Sequence, residues 1–93
     1  MNYEREGDTV TVHLQRDFNL LVARHLRQVA QGAGHVRVDL SRAHLVDSEA
    51  LSSLHALQRD GTNVTLIDPP ELYYEVIDVL GLGEVFDVEG ADT

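Results

Sequence analysis

The sequence contains neither cysteine nor lysine, and basic residues are scarce. Without thiols the chain forms no disulfide, carries no CxxC redox motif and offers no cysteine ligand for zinc. Seven arginines stand against sixteen acidic residues, which gives a formal net charge of -9. A charge of that sign repels phosphate backbones and anionic lipid headgroups, so we expect no nucleic-acid partner.

Long apolar runs are also missing, since no segment approaches the roughly 20 residues that cross a bilayer as a helix. The first residues, MNYEREGDTV, are charged and lack the apolar region of a signal peptide. We therefore expect a soluble, cytoplasmic protein that does not insert into a membrane. Its 93 residues, 43% of them hydrophobic, suffice for one core, so we expect a single domain over 1–93 with its core at about 9–88.

Several short segments predict β-strands. Segments 9–14 and 35–40 alternate apolar and polar residues, a pattern typical of strands that bury one face. A third strand is predicted over 63–67. Two shorter segments, 3–5 and 85–88, are predicted to pair at the edges of the same sheet.

Apolar residues at helical spacing predict helices between these strands. One covers 18–31 with Asp17 as its N-cap, a second covers 49–60, and a third begins after Pro70 and ends at Gly81. Strands thus alternate with helices along the chain. This order predicts an α/β fold, namely a small single-domain mixed β-sheet with alternating crossover helices.

The most informative stretch is 36–51, VRVDLSRAHLVDSEAL, which runs from a buried strand to an Asp-Ser step at a helix start. It resembles the signature of the STAS family (sulfate transporter and anti-sigma factor antagonist). Members of that family carry an Asp-Leu-Ser-like step at a strand end and an Asp-Ser-Ser-Gly-Leu-like step at a helix start. Segments 57–67 and 79–86 resemble the family's glycine turn with its next strand and its C-terminal Leu-Gly-Leu step. The resemblance spans about 9–88 and implies a STAS-like fold.

The resemblance also implies a phosphorylation switch that regulates transcription. In anti-sigma factor antagonists the serine after the aspartate is phosphorylated by a partner kinase, the anti-sigma factor, and Ser48 stands at that position. A phosphate adds about -1.5 to -2 charges, so partner binding would be lost through repulsion and desolvation. The chain departs from the pattern at Glu49, where a small residue is usual, and at Ala50, which replaces glycine.

The surface around Ser48 is therefore the candidate partner-binding site. Local sequence leaves a second interpretation open, because serine and aspartate are common helix caps and also satisfy loop backbone groups. The candidate residues lie at the end of the second strong strand and at the start of the second helix: Asp39, Ser41, Asp47, Ser48, Glu49 and Ser52.

Catalytic and metal sites are not expected. The histidines form no HxH or HExxH pair, and the chain lacks a glycine-rich phosphate loop. Ser48, His44 and Asp47 lie too close in sequence to form a catalytic triad. We expect no cofactor, no metal and no enzyme activity. The five histidines are His13, His25, His35, His44 and His55.

Two binding functions remain. The first is an anti-sigma factor antagonist-like module whose partner is an anti-sigma factor serine kinase. The alternative is the small cytoplasmic STAS subunit of an ABC transporter of the lipid-asymmetry type, whose partner is the permease or ATPase. Both use the same fold and the same surface.

Overall fold

The computed structural model describes residues 1–82 and 85–90. Strands and helices alternate as predicted, and the α/β fold class is confirmed. In chain order the elements are β1 (Asn2–Glu6), β2 (Thr9–His13), α1 (Leu20–Val29), β3 (His35–Asp39), α2 (Ser48–Arg59), β4 (Asn63–Ile67), α3 (Glu71–Leu80) and β5 (Asp87–Glu89).

The five strands form one mixed sheet in the order β1-β2-β3-β4-β5. β1 and β2 are antiparallel and joined by a tight turn, where Gly7 has a φ of 61°. The remaining neighbours are parallel. Parallel neighbours need a crossover connection, and the three helices supply one for each pair. β1 and β5 are the edges of the sheet.

The helices and one face of the sheet share a single hydrophobic core. Alternate residues of β2 and β3, such as Val10, Val12 and Val38, are fully buried. Leu26 of α1 and Leu54 of α2 pack in the same cluster. The intervening strand residues turn to the opposite face, because successive side chains of a strand alternate in direction.

The start of α1 differs from the sequence prediction. Asp17 is not the N-cap; that role belongs to Asn19, whose side chain accepts a hydrogen bond of 3.0 Å from the amide of Val22. The reason is that Phe18 forms an isolated parallel β-bridge with Val46. The extended backbone of this bridge delays the helix until Leu20.

The last strand also differs. β5 begins at Asp87 instead of residue 85, because Phe86 turns into the core and is 5% exposed. Gly83 and Glu84, which belong to the segment 79–86 that resembles the family's C-terminal step, lie outside the described residues. α3 ends as predicted at Gly81, which adopts a left-handed conformation with φ 71°.

Replacing Leu54 with alanine should lower the free energy of unfolding by about 2–5 kcal/mol, because the substitution leaves a cavity at a fully buried position. Urea unfolding measures this change. Leu21→Ala is the matched control, since Leu21 is 73% exposed and its truncation should cost less than about 0.5 kcal/mol. Equal losses for the two variants would contradict the assigned core.

Candidate functional site

The starts of α1 and α2 are held side by side by the segments that precede them. The amide of Phe18 donates to the carbonyl of Leu45 at 2.9 Å, and the amide of Asp47 donates to the carbonyl of Phe18 at 2.9 Å. These bonds form the bridge between Phe18 and Val46. The two helix starts therefore share one surface at the carboxyl end of the parallel strands.

Asp47, and not Ser48, caps α2. The backbone of Asp47 is extended, with φ -87° and ψ 138°, and its carboxylate accepts a hydrogen bond of 2.8 Å from the amide of Glu49. Ser48 is the first residue of the helix and is exposed. The helix start therefore does not depend on the Ser48 hydroxyl for its cap.

The other α2 residues at this surface divide into exposed and buried positions. Glu49 and Ser52 are exposed, and Ser52 lies one helical turn after Ser48 on the same side. Ala50 is fully buried against the core. The departure from glycine at this position is therefore accommodated inside the protein and leaves the exposed surface unchanged.

Asp39 and Ser41 lie apart from this group, at the end of β3. One carboxylate oxygen of Asp39 accepts a hydrogen bond of 2.9 Å from the amide of Ser41. The other oxygen lies 2.9 Å from Nδ1 of His13. Asp39 thus satisfies a loop backbone group, which is one of the two roles that the sequence leaves open. Burial raises the pKa of Asp39, but the hydrogen bonds from Ser41 and His13 outweigh it and hold this pKa below its usual 3.8.

His13 is a central residue of this second group, and sequence reasoning missed it. On the uncovered face of the sheet it lies between Asp39 of β3 and Glu4 of β1, whose Oε1 is 3.3 Å from Nε2 of His13. The bond to Asp39 raises the pKa of His13 above its usual 6.5; partial burial opposes this shift and Glu4 adds to it. The only sequence signal was that His13 and Asp39 are the last polar residues of the alternating segments 9–14 and 35–40.

The candidate residues at the end of β3 and those at the start of α2 lie at two separate clefts. Asp39, Ser41 and His13 line a polar cleft of about 290 Å³ on one side of the strand ends. Asp47 lines a more apolar cleft of about 310 Å³ between the two helix starts. The residues of this helix-start cleft are Asp17, Phe18, Asn19, Leu45, Val46, Asp47 and Leu72.

The apolar walls of the helix-start cleft were also missed. The sequence shows Leu45-Val46 only as an apolar pair in a loop. In the extended bridge consecutive side chains point in opposite directions, so Val46 is 4% exposed while Leu45 is 56% exposed. Leu72, in the first turn of α3, is half-buried beside it.

On the uncovered face of the sheet, polar side chains of neighbouring strands bind one another. Arg37 donates two hydrogen bonds, of 2.8 and 2.9 Å, to the carboxylate of Glu89, and His35 lies 2.8 Å from the hydroxyl of Thr65. The ion pair with Arg37 lowers the pKa of Glu89. The exposed large apolar side chains lie instead in the helices, the loop before α2 and the edge strands: Tyr3, Leu21, Leu45, Tyr74, Val79 and Val88.

Within residues 1–82 and 85–90, no three histidine, aspartate or glutamate side chains form a group that could hold a metal ion. No helix in this part of the chain has the length and apolar character needed to span a bilayer.

The pairing of His13 with two carboxylates predicts a pH dependence of stability. Because the pKa of His13 is higher in the folded than in the unfolded chain, its stabilising contribution is complete below pH 6.5 and is lost as pH rises through the folded pKa. The difference in unfolding free energy between the wild type and His13→Gln should fall over that range. Denaturant unfolding at several pH values measures it.

An NMR titration of His13 tests the cause. Asp39→Asn should bring the pKa of His13 down toward 6.5, and Glu4→Gln should lower it less, because Asp39 makes the closer contact. Glu6 lies on the same face of β1 and serves as the control through Glu6→Gln. An unchanged pKa of His13 in the Asp39→Asn variant would refute the assignment of the raised pKa to the contact with Asp39.

Comparison with known proteins identifies the fold. A family model described as "Mlab, STAS domain" matches residues 1–88. A candidate anti-sigma factor antagonist from Thermotoga maritima superposes with a TM-score of 0.74 at 17% identity, covering 98% of this chain and 86% of that chain. The anti-sigma factor antagonist SpoIIAA in its unphosphorylated form gives a TM-score of 0.71 at 14% identity, with 97% and 87% covered. No curated protein matches the sequence.

The two solved structures share the arrangement of a small sheet and helices found here, and the family model extends over nearly the whole described chain. The resemblance inferred from the Asp-Ser step at residues 47–48 is confirmed, and the chain belongs to the STAS domain family.

Proposed function

We propose that the chain is a regulatory protein-binding module of the anti-sigma factor antagonist type, whose partner covers the start of α2. The observation that carries this proposal is the division of roles at residues 47 and 48. Asp47 caps the helix, and Ser48 is exposed at its first position. Ser48 is therefore free to be modified or covered without loss of the helix cap.

Phosphorylation of Ser48 by a partner serine kinase would act as the switch. The phosphate adds about -1.5 to -2 charges and three strong acceptor oxygens, which a covering partner must desolvate or move aside. The helix tolerates the group, because an anion at a helix N-terminus is stabilised by the macrodipole. The fold thus survives while the interface is lost. The transfer chemistry belongs to the kinase, so this chain needs neither catalytic residues nor a cofactor, and it works in the cytoplasm.

Glu49 gives the surface around Ser48 a permanent negative charge. Its exposed carboxylate, next to Ser48, gives the unmodified surface a negative charge before any phosphate is added. Ser52, one turn further along α2, extends the covered surface along the helix. Asp39 and Ser41 belong to the partner surface indirectly, since their hydrogen bond shapes the loop that leads from β3 to α2.

The second candidate function is the small STAS subunit of an ABC transporter of the lipid-asymmetry type. One observation favours it, because the family model that matches residues 1–88 carries the name Mlab. In that function the start of α2 docks on a permease or ATPase, and modification of Ser48 is not needed. Chemical crosslinking from Ser52→Cys in the native host, followed by mass spectrometry, separates a serine kinase from an ATPase or permease.

Incubation of the purified chain with the anti-sigma factor kinase of its host and ATP should add one phosphate to the intact mass. The phosphate should be absent from Ser48→Ala and present on Ser52→Ala, the matched control one turn away. A wild-type chain that gains no phosphate, or a Ser48→Ala variant that gains the same amount, would remove the switch.

The division of roles also predicts opposite behaviour of two neighbouring variants. Ser48→Asp should weaken partner affinity and leave the melting temperature nearly unchanged, because an acidic residue is favourable in the first turn. Asp47→Ala should lower the unfolding free energy by about 0.5–2 kcal/mol through loss of the cap. Calorimetric binding and thermal unfolding measure the pair. A large fall in melting temperature for Ser48→Asp would assign Ser48 a mainly structural role.

A further inference from the structure

The helix-start cleft is a preformed apolar depression beside Ser48. Its lining includes Phe18 and Val46, which are 0% and 4% exposed, together with Leu45 and Leu72. Ser48 is not one of the lining residues, so a phosphate there would stand next to the cleft and not inside it.

Rigid elements fix the walls of this cleft. Two backbone hydrogen bonds join the segment before α1 to the segment before α2. Each segment then ends in a capped helix start, at Asn19 and at Asp47. An occupant therefore meets a surface that is already ordered, which reduces the entropic cost of binding.

The size of the cleft limits the occupant. A volume of about 310 Å³ lies at the bottom of the range of small-molecule pockets, and the cleft is open to solvent. This space suits one large apolar side chain better than a cofactor. Anchors of this kind, in which one large side chain enters a pocket on the partner, dominate the binding energy of many protein interfaces.

The charged residues at and beside the cleft indicate which kind of residue flanks that side chain in the partner. Asp17 and Asp47 are the two charged residues of the lining, and both are acidic. Glu49 and Glu71 are exposed at the starts of α2 and α3 next to it. Arg16, which precedes Asp17, is not a lining residue of this cleft but lines a neighbouring one that shares Asp17, so four acidic residues stand against one arginine. The segment of a partner that enters this cleft therefore has a complementary positive charge. A phosphate on Ser48, which is outside the lining, would weaken binding through desolvation and displacement of the partner and not through charge repulsion.

We propose that the helix-start cleft receives one leucine- or phenylalanine-sized side chain from a basic segment of the partner protein, with arginine or lysine on either side of it. This inference rests on the proposed function, because it names the chemistry of the partner that covers the start of α2. It assigns the anchoring contact to Leu45 and Leu72, and the orientation of the partner to Asp17 and Asp47.

Blocked tripeptides test the cleft without the natural partner. The probe is arginine-phenylalanine-arginine; one control replaces phenylalanine with alanine, and the other replaces both arginines with glutamate. Titrated into the ¹⁵N-labelled chain, the probe should shift amide signals of residues 17–19, 45–47 and 72. It should bind about tenfold more tightly than either control, the ratio expected when an anchor or two exposed ion pairs are lost.

Leu45→Ser should reduce probe binding by about tenfold and leave the melting temperature unchanged, since Leu45 is 56% exposed. Val79→Ser is the matched control, because Val79 is 85% exposed on α3 and is not a lining residue of the cleft. Shifts located elsewhere, equal binding of the alanine control, or unchanged binding by Leu45→Ser would each overturn the proposal.

The affinity of the natural partner for two variants distinguishes failure of this proposal from failure of the function on which it rests. A partner whose affinity falls with Ser48→Asp but not with Leu45→Ser would overturn the anchor and leave the proposed function intact. A chain that binds the basic probe in the cleft, but whose natural partner is insensitive to Ser48→Asp, would keep the anchor and overturn the placement of the partner on α2.

Discussion

Burial of only one face of the sheet is the constraint on which the rest of the structure depends. The alternating valines of β2 and β3 need cover on one side, and the three crossover helices provide it there. The other face carries polar residues, and these pair with one another across neighbouring strands. The polar groups of the uncovered face thus pair with one another, and the more apolar cleft lies instead between the helix starts.

The same constraint explains how much of the fold was predictable. Period-two alternation reports burial of one face directly, so the segments around β2 and β3 follow from sequence with nearly correct bounds. β4 was also predicted with its observed bounds, although Val64, Thr65 and Leu66 are all buried and its burial does not alternate. The N-cap of α1 does not follow, because Asp17 and Asn19 are both good caps. The choice between them is made by a bridge to Val46, which lies 28 positions from Phe18 in the sequence.

The candidate site was predictable in its position and not in its surroundings. The Asp-Ser step at residues 47 and 48 marks the helix start, but only backbone conformation decides which of the two caps it. The contacts of His13 depend on the register of three strands, which the alternation does not specify. The outward turn of Leu45 depends on the same bridge that displaces the start of α1. Each missed feature therefore arises from pairing between distant segments.

Separation of the cap from the exposed serine has a thermodynamic meaning. If Ser48 also held the helix start, any change of its state would alter stability and binding together. Because Asp47 holds the helix start through the amide of Glu49, the two quantities are uncoupled at neighbouring positions. A substitution at Ser48 therefore leaves the cap of α2 in place.

The edges of the sheet have a further consequence for the behaviour of the chain at high concentration. β1 presents Glu4, Arg5 and Glu6 along an exposed edge, and β5 is only three residues long and carries Asp87 and Glu89. Short or charged edge strands disfavour the addition of a strand from another molecule. The sheet is therefore protected against edge-to-edge aggregation, even though its uncovered face and both margins are open to solvent.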